Sequence, residues 1–419
     1  MKSYREILKT ALEHKTGKVP MDFGSCTTTG MHVSCVAELR KYYGLDEKPV
    51  KIVDPYQMLG EVDEELLDSI GISVDGIFPR ETIFGFPNDN WKEWRTPWGQ
   101  NVLVPGEFTV TMENGDCLLF PRGDTSAGPS ARLPEGGYFF DSIIRQKEIK
   151  EDELKADDNL EEYTLLTDQN IEYYQKERKR AARSGRGLVV NFGGTTFGDI
   201  ADIPGPGLAN PKGIRDVTEW YISTVMRQDL LHEIFSRQLD IILTNMRTHL
   251  DIFGDDGIDV VVTDCTDFGT QNSSICSTDT YQSLYAPYHK KLNDWIHTNT
   301  NWKTFKHSCG AVYDFIPEFI ESGFDILNPV QCSAAGMEPE RLKREYGRDI
   351  VFWGGGVDTQ KTLPFGSPEE VRRQVLERLE IFSDSGGYVF NAIHNVQAKT
   401  PIENIVAMIN AVKEYNGDT

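Results

Sequence analysis

The order of elements along this chain predicts an α/β fold, a (β/α)8 TIM-type barrel with a β-rich insertion after the second strand. Three observations carry that expectation. Short runs rich in β-branched and aromatic residues recur near positions 19, 73, 188, 258, 303, 325, 351 and 388, and nearly all are followed by a stretch with helical spacing. Eight such units are what a parallel sheet closed on itself and wrapped in helices requires. The rhythm breaks once, over residues 80–150, where Gly, Pro and Trp are dense and alternating runs replace helical ones. The polar clusters of the second half fall just after strands, at the end of a barrel where active sites sit.

Taken in order, residues 2–15 place Tyr4, Ile7, Leu8 and Leu12 near helical spacing, and Val19 to Phe23 reads as a short buried strand. Gly24 to Gly30 is its loop; helices are expected from Val33 to Tyr43 and from about Glu61 to Ile70, before a second strand from Ile72 to Phe78. This β–helix–β order favours parallel pairing through right-handed crossovers. Within 80–150, Asn114-Gly115 between two alternating runs is a two-residue hairpin signal. That region is a candidate lid or oligomer contact, a homodimer included. Residues 147–184 read as charged helix, with Lys176 to Arg183 as a solvated basic end.

From Leu188 the alternation holds to the end. Strands are expected at Leu188–Phe192, Ile258–Thr263, Trp302–Lys306, Phe324–Asn328, Ile350–Trp353 and Gly387–Asn391, with helices at about 217–253, 281–298, 312–322, 339–346, 368–383 and 401–415. The division is therefore 1–79 for the first two barrel units, 80–150 for the insertion, 151–186 for a charged helical connector and 187–419 for the rest of the barrel.

Composition narrows the function classes. With 43 basic and 65 acidic side chains in 419 residues the formal net charge is −22, and no long basic run offsets it. Such a surface repels phosphate backbones and anionic lipid, which argues against nucleic-acid and membrane partners. The first residues lack an apolar run with a cleavage site, and no stretch approaches the roughly 20 apolar residues of a membrane span. Seven cysteines, an odd number thinly spread, fit reduced thiols and a cytoplasmic location better than a disulfide framework.

The chemistry centres on His307-Ser308-Cys309-Gly310, after the fifth strand. Residues two apart on a just-turning segment project the same way, so His307 and Cys309 can present a nitrogen and a sulfur to one metal ion. A buried cysteine beside a loop histidine is the plainer meaning of an isolated pair. Its company at the barrel mouth favours the metal: Asp264 and Asp267 follow the fourth strand, Gln331 and Cys332 the sixth, Asp358 the seventh and His394 the eighth. His394 and Cys332 are the best further ligands. Asp264, Asp267 and Gln271 are candidate catalytic residues, and Gln331, Asp358 and Tyr281 candidate substrate contacts. Gly354-Gly355-Gly356 can seat an anion or simply make a tight turn. Dinucleotide-fold glycines, a phosphate-loop lysine, Gly-x-Ser-x-Gly and His-Glu-x-x-His are all absent.

His307–Gly310, Asn328-Pro329-Val330-Gln331, Gly354–Asp358 and Phe390–Gln397 with Pro401–Asn404 together resemble the uroporphyrinogen decarboxylase superfamily, and more narrowly its methyltransferase branch. The resemblance is densest over 187–412 and extends weakly to Val19. The decarboxylases carry an arginine-bearing N-terminal segment and lack His-x-Cys; this chain has Gly24–Gly30 in that place and has the pair. In the methyltransferase branch zinc is bound by His-x-Cys and a cysteine from the last strand's loop. His394 takes that last position here, and Cys332 lies near where related methionine synthases supply a carboxylate.

The resemblance implies zinc and a corrinoid supplied by a separate corrinoid-binding protein, since Asp-x-His-x-x-Gly does not occur in this chain. It implies a small-molecule methyl donor, with zinc on the oxygen of a methoxy group while Co(I) takes the methyl. The reverse direction, methylcorrinoid to a thiol, belongs to the same branch. Trp91, Trp94 and Trp98 in the insertion suggest an enclosure for a methoxylated aromatic. Two other classes stand beside this one: a metal-free decarboxylase using the mouth aspartates, and a corrinoid- or tetrapyrrole-binding protein with a closed structural zinc.

Overall fold

The structure, a computed structural model, describes residues 3–418. Seven parallel strands form one sheet whose spatial order is the chain order: Val74–Ile77, Gly187–Asn191, Val260–Asp264, Lys303–His307, Ile326–Asn328, Val351–Trp353 and Tyr388–Val389. Each pairs with the next one along the chain, so every connection is a crossover that carries helices onto the outer face. The segment around Met21 joins the two edges. Met21 bridges in parallel to Phe390, Asp22 N–H donates to the Phe390 carbonyl at 2.9 Å, and Ser73 N–H donates to the Met21 carbonyl at 2.9 Å. The curled sheet is thus TIM-like, with residues 19–23 as an irregular eighth stave. Pro20 has no N–H to give to a ladder, which keeps this stave from becoming a regular strand.

Successive side chains alternate between the barrel interior and the helical layer. Phe305 packs edge-on against Trp353 inside the barrel at 5.5 Å, and Trp353 Nε1–H donates to Asp22 at 3.0 Å. Outside, the Gln228–Phe253 helix buries Leu231, Ile234, Phe235, Leu239, Ile242 and Met246. Spacings of three and four residues put these on one face, each worth roughly 1.5–3 kcal/mol of burial. The helix expected over 217–253 is two helices, Val217–Met226 and Gln228–Phe253, broken at Arg227, whose φ is −131°.

The connector differs from the expected continuous helix. Only Asp168–Ala181 is helical, started by a Thr167/Asn170 capping box. Before it come short 3-10 turns at Glu151–Glu153 and Ala156–Asn159. The acids that made this stretch look like a charged helix are held by barrel residues instead, with Glu162 on the buried Arg215 at 2.6 Å and Glu151 on Arg227.

Two four-stranded sheets make up the β-rich region. The first recruits Val50–Asp54, a strand the sequence reading did not anticipate, which pairs in parallel with Asn101–Val104. In the second, Val110–Glu113 and Asp116–Leu119 pair across Asn114 and Gly115, both with positive φ, 52° and 91°. That is the backbone a two-residue hairpin turn demands. The tryptophans expected to enclose substrate are committed elsewhere. Trp94 packs on Phe108 at 5.0 Å, Trp98 stacks on Tyr138 at 5.0 Å, and Trp91 lies under Lys51. They knit the insertion together and to the N-terminal segment.

Candidate metal centre

His307 ends the fifth stave, and Cys309 follows in the turn made by Gly310, whose φ is +88°. A Cβ at Gly310 would lie 2.4 Å from the backbone carbon of Gly269, so glycine alone permits this close approach. The ligand atoms of His307, Cys309 and His394 all lie within 4.8 Å of one another. His307 Nε2 is 3.4 Å from Cys309 Sγ. Tetrahedral zinc with ordinary bond lengths would separate an N and an S ligand by about 3.5 Å. The His307 and His394 rings meet edge to face, centroids 5.3 Å apart.

The donor set is prepared in the form a metal needs. Asn328 Nδ2–H donates to the Trp353 carbonyl at 2.9 Å, which turns Asn328 Oδ1 toward His307 Nδ1 at 2.7 Å. A carbonyl can only accept, so the amide orientation is fixed, His307 carries its proton on Nδ1, and Nε2 keeps its lone pair. Burial lowers the His307 pKa to about 4. Burial and then His307 lower that of His394 to about 3. Both rings are therefore neutral near pH 7. Burial, with Asp267 and Asp199 nearby, raises the Cys309 thiol well above its ordinary value, a penalty that a bound cation reverses. The residues fit a divalent ion with three protein ligands and one position left for solvent or substrate.

The surrounding residues brace this turn. Asp267 Oδ1 accepts from Cys309 N–H at 2.6 Å. Gln331 Oε1 accepts from Gly310 N–H at 2.8 Å, and Gln331 Nε2–H donates to Gln271 Oε1 at 2.9 Å. Asp267, Gln271 and Gln331 are thus gathered at the cluster. Burial raises the Asp267 carboxyl. On the last loop, Asn391 donates to the Asp22 and Thr29 carbonyls, while Asn395 donates to Thr27 and Gln57 and accepts from Gly30 N–H. These two asparagines flank His394 and lash its loop to the first.

Four expected site residues are placed otherwise. Cys332 is outside the cluster; its Sγ–H points to the Val330 carbonyl at 3.4 Å, and burial pushes the thiol up to about 12. Asp264 is fully buried and consumed by Lys306, by Thr266 N–H at 3.1 Å and Oγ1–H at 3.0 Å, and by Phe197 N–H at 3.3 Å. Tyr281 is buried in the outer wall, its hydroxyl shared with His289 Nδ1 at 3.0 Å and Ser322 Oγ at 3.1 Å. Asp358 Oδ1 caps its own loop, accepting from Gln360 and Lys361 N–H groups. The triple glycine is no anion seat, since Gly354 and Gly356 N–H groups are spent on the Val389 and Asn391 carbonyls.

Residues 212–415 match the family model for uroporphyrinogen decarboxylase. Over those residues, just under half of its length, the chain is similar to the uroporphyrinogen decarboxylase superfamily. Uroporphyrinogen decarboxylases of Coxiella burnetii and Pseudoalteromonas translucida are 29% and 34% identical to it over 89 residues, 20% of this chain. The match spans about a quarter of those relatives' length, 24%. A solved methyltransferase from Methanosarcina mazei covers 99% of both chains at a TM-score of 0.53 and 14% identity, a likeness of fold. The superfamily motif segments thereby gain physical roles: Asn328 orients His307, and Asn391 and Asn395 hold the loop of His394.

Sequence reasoning assigned no role to Asn328, Lys306 or Asp199. Asn328 was quotable as a motif residue, but its partner is visible only once the fifth and sixth staves pair His307 with Asn328 in register. Asp199, in the loop after the third stave, is raised well above the carboxylate range by burial and by Asp202. A separate concavity of about 410 Å³ lies between the connector and the Gln228–Phe253 helix, lined by Asp157, Tyr163, Arg237 and Asp240. Arg237 there is already paired with Asp157. Among the described residues, no helix is long and apolar enough to cross a membrane.

Proposed function

We propose that this protein moves a methyl group from a small methylated substrate, a methoxylated aromatic being the first candidate, to a corrinoid carried by a separate protein, using zinc held by His307, Cys309 and His394. The observation that carries this reading is the three-donor cluster of His307, Cys309 and His394, a set one ligand short of a closed tetrahedral shell. The fold shared with a methyltransferase over the whole chain supports it. A zinc ion held there supplies Lewis acidity to the oxygen that the methyl group leaves.

The chain's own residues do the rest. Asn328 keeps the His307 Nε2 lone pair free on the side facing Cys309. Asp267 and Gln331 hold the Cys309–Gly310 turn so that sulfur and imidazole converge. Asp267, with a carboxyl raised by burial, is the group placed to give the departing oxygen a proton. Asp264 and Tyr281 take no part in the reaction, because their polar atoms are committed within the protein, and Asp358 turns one oxygen to capping its own loop. The decarboxylase reading wants cationic groups over the mouth for substrate carboxylates, and the 24–30 loop carries none.

The test is incubation of zinc-loaded protein with a reduced corrinoid protein and a panel of methoxylated aromatics, methanol and methylamines, reading methyl-Co(III) by absorbance. Turnover with an ether, abolished in Cys309→Ala together with bound zinc, supports the proposal. Silence across the panel with turnover of a thiol acceptor reverses the direction of transfer. Full activity on a carboxylated tetrapyrrole without metal overturns it.

A further inference from the structure

Lys306 precedes His307 on the fifth stave and faces the opposite way, out of the barrel and into the helical layer. It is wholly buried. Its ammonium donates to Asp264 Oδ2 and, at 2.7 Å, to the Thr266 carbonyl. It also lies over the Phe268 ring at 4.6 Å and the Phe319 ring at 5.3 Å. A lone lysine is costly at such a place, and a carboxylate, a carbonyl and aromatic faces compensate it here. His289 Nε2 adds a contact to Asp264 at 3.3 Å.

What the pair holds is more informative than the pair itself. Asp264 anchors two loops at once: Phe197 N–H from the loop after the third stave, and Thr266 N–H and Oγ1–H from the loop after the fourth. The single Thr266 hydroxyl proton is shared between Asp264 Oδ1 and the Phe197 carbonyl, 3.0 and 2.9 Å away, which links these loops. From Thr266 the chain runs directly into a strap over the candidate metal ligands. Asp267 accepts from Cys309 N–H, Phe268 N–H donates to Ser308 Oγ at 2.9 Å, and Ala311 N–H donates to the Thr270 carbonyl at 2.8 Å. The carbonyl that Lys306 grips and the ring it lies over therefore belong to the first and third residues of the strap.

We propose that the buried Lys306–Asp264 pair is a positioning device for Cys309, acting through the 266–270 strap, and that it sets the sulfur's place in the metal site from the far side of the same strand. The proposal rests on the metal-site reading for its purpose, but the clamp is a property of the chain itself. Lys306 and Asp264 touch neither substrate nor ligand and are positioning residues. An ammonium and a carboxylate suit the task because one charged group can hold several backbone atoms simultaneously, which a neutral amide or an apolar side chain cannot.

The test uses the full chain and two readouts. Lys306→Met alone strands a buried carboxylate and risks failing to fold, so the working variant is Lys306→Met/Asp264→Asn, with Thr266→Val as a milder cut of the same clamp. Tyr281→Phe is the control; it removes the hydroxyl's hydrogen bonds to His289 and Ser322 from the same wall while keeping the ring that packs on Phe268 at 5.0 Å. The first readout is metal-free: the rate of Cys309 alkylation by iodoacetamide, resolved from the other thiols by peptide mass spectrometry. It is expected to rise several-fold in both clamp variants and to stay at the parent value in Tyr281→Phe. The second is Co(II) titration. The clamp variants are expected to bind about 10–100-fold more weakly and to lose intensity in the sulfur-to-cobalt charge-transfer band more than in the d–d bands.

Folded clamp variants with unchanged Cys309 alkylation would overturn the positioning role and leave the pair a plain wall brace. An equal rise in Tyr281→Phe would do the same, because general loosening of the wall would then suffice. If the parent chain takes up no cobalt while the clamp variants still unshield Cys309, the metal reading falls and the clamp stands.

Discussion

Two consecutive residues of one strand, Lys306 and His307, face opposite ways and end in opposite states. On the outer face the ammonium and its carboxylate partner Asp264 spend their polar atoms on each other and on backbone, and the neighbouring Tyr281 spends its hydroxyl on His289 and Ser322. On the inner face His307 spends one nitrogen on Asn328 and leaves the other aimed at Cys309. Both faces are buried and rich in titratable groups. What separates a site from a brace is therefore neither burial nor charge but unspent coordinating capacity.

That contrast gives the largest expected effects. His307→Ala should drop bound zinc from near one per chain to background by metal analysis, with urea unfolding still cooperative. Lys306→Met should act first on stability, with weakened metal binding as its secondary effect. Removing one member of a buried ion pair leaves the other uncompensated, an expected loss of about 3–5 kcal/mol in unfolding free energy. A Lys306→Met chain as stable as its parent would dissolve the distinction between the faces. Next in size is Asn328→Ala, which removes the group that fixes the His307 tautomer while sparing all three ligands. Zinc affinity should fall about 10–100-fold by competition with a chromophoric chelator.

How much of this was legible in the sequence follows from the same distinction. The alternation of strands and helices is a local property, so all seven regular staves could be read from hydrophobic runs, and the irregular eighth at Val19–Phe23 with them. His307, Cys309 and His394 could be placed together because barrel topology brings strand ends to one mouth. Asp264, Tyr281, Asp358 and Cys332 look no different from ligands in a linear text. They are told apart only by partners 42, 41 or 2 residues away, as with Lys306, Ser322 and Val330. The strand at Val50–Asp54 went unseen because its partner, Asn101–Val104, lies across the insertion. The connector was misread because tertiary ion pairs to Arg215 and Arg227 outweigh a charged stretch's helical leaning.

A smaller effect is expected at the opposite end of the barrel, where Asp325, just before the sixth stave, faces the start of the fifth. Burial by itself would raise the Asp325 carboxyl, but His297 at 2.7 Å and Lys303 at 2.9 Å outweigh it and hold the pKa at about 2. A folded-state value below the unfolded one contributes stability that is present above about pH 4 and is lost as pH falls through about 2. The shift corresponds to at most about 2.5 kcal/mol. Asp325→Asn should therefore lower the urea midpoint at pH 7 and flatten its acid limb, leaving zinc content alone. A loss of zinc would mean that the bottom of the barrel is coupled to the mouth.

The smallest expected effect tests the open coordination position. Cys332 is a thiol at the mouth, one residue from Gln331, yet its sulfur is turned to the Val330 and Gly355 carbonyls and stays outside the cluster of three. In Cys332→Ser the hydroxyl still donates to a carbonyl, so stability should move by no more than about 1 kcal/mol. Zinc stoichiometry and affinity should not move at all, and the intensity of the sulfur-to-cobalt charge-transfer band should match the parent's single thiolate. If instead the variant loses metal, sulfur at 332 swings in to close a four-ligand shell. A closed shell has no place for a substrate oxygen, and the zinc would then be structural. A substitution expected to do nothing is thus the one that separates a catalytic ion from a structural staple.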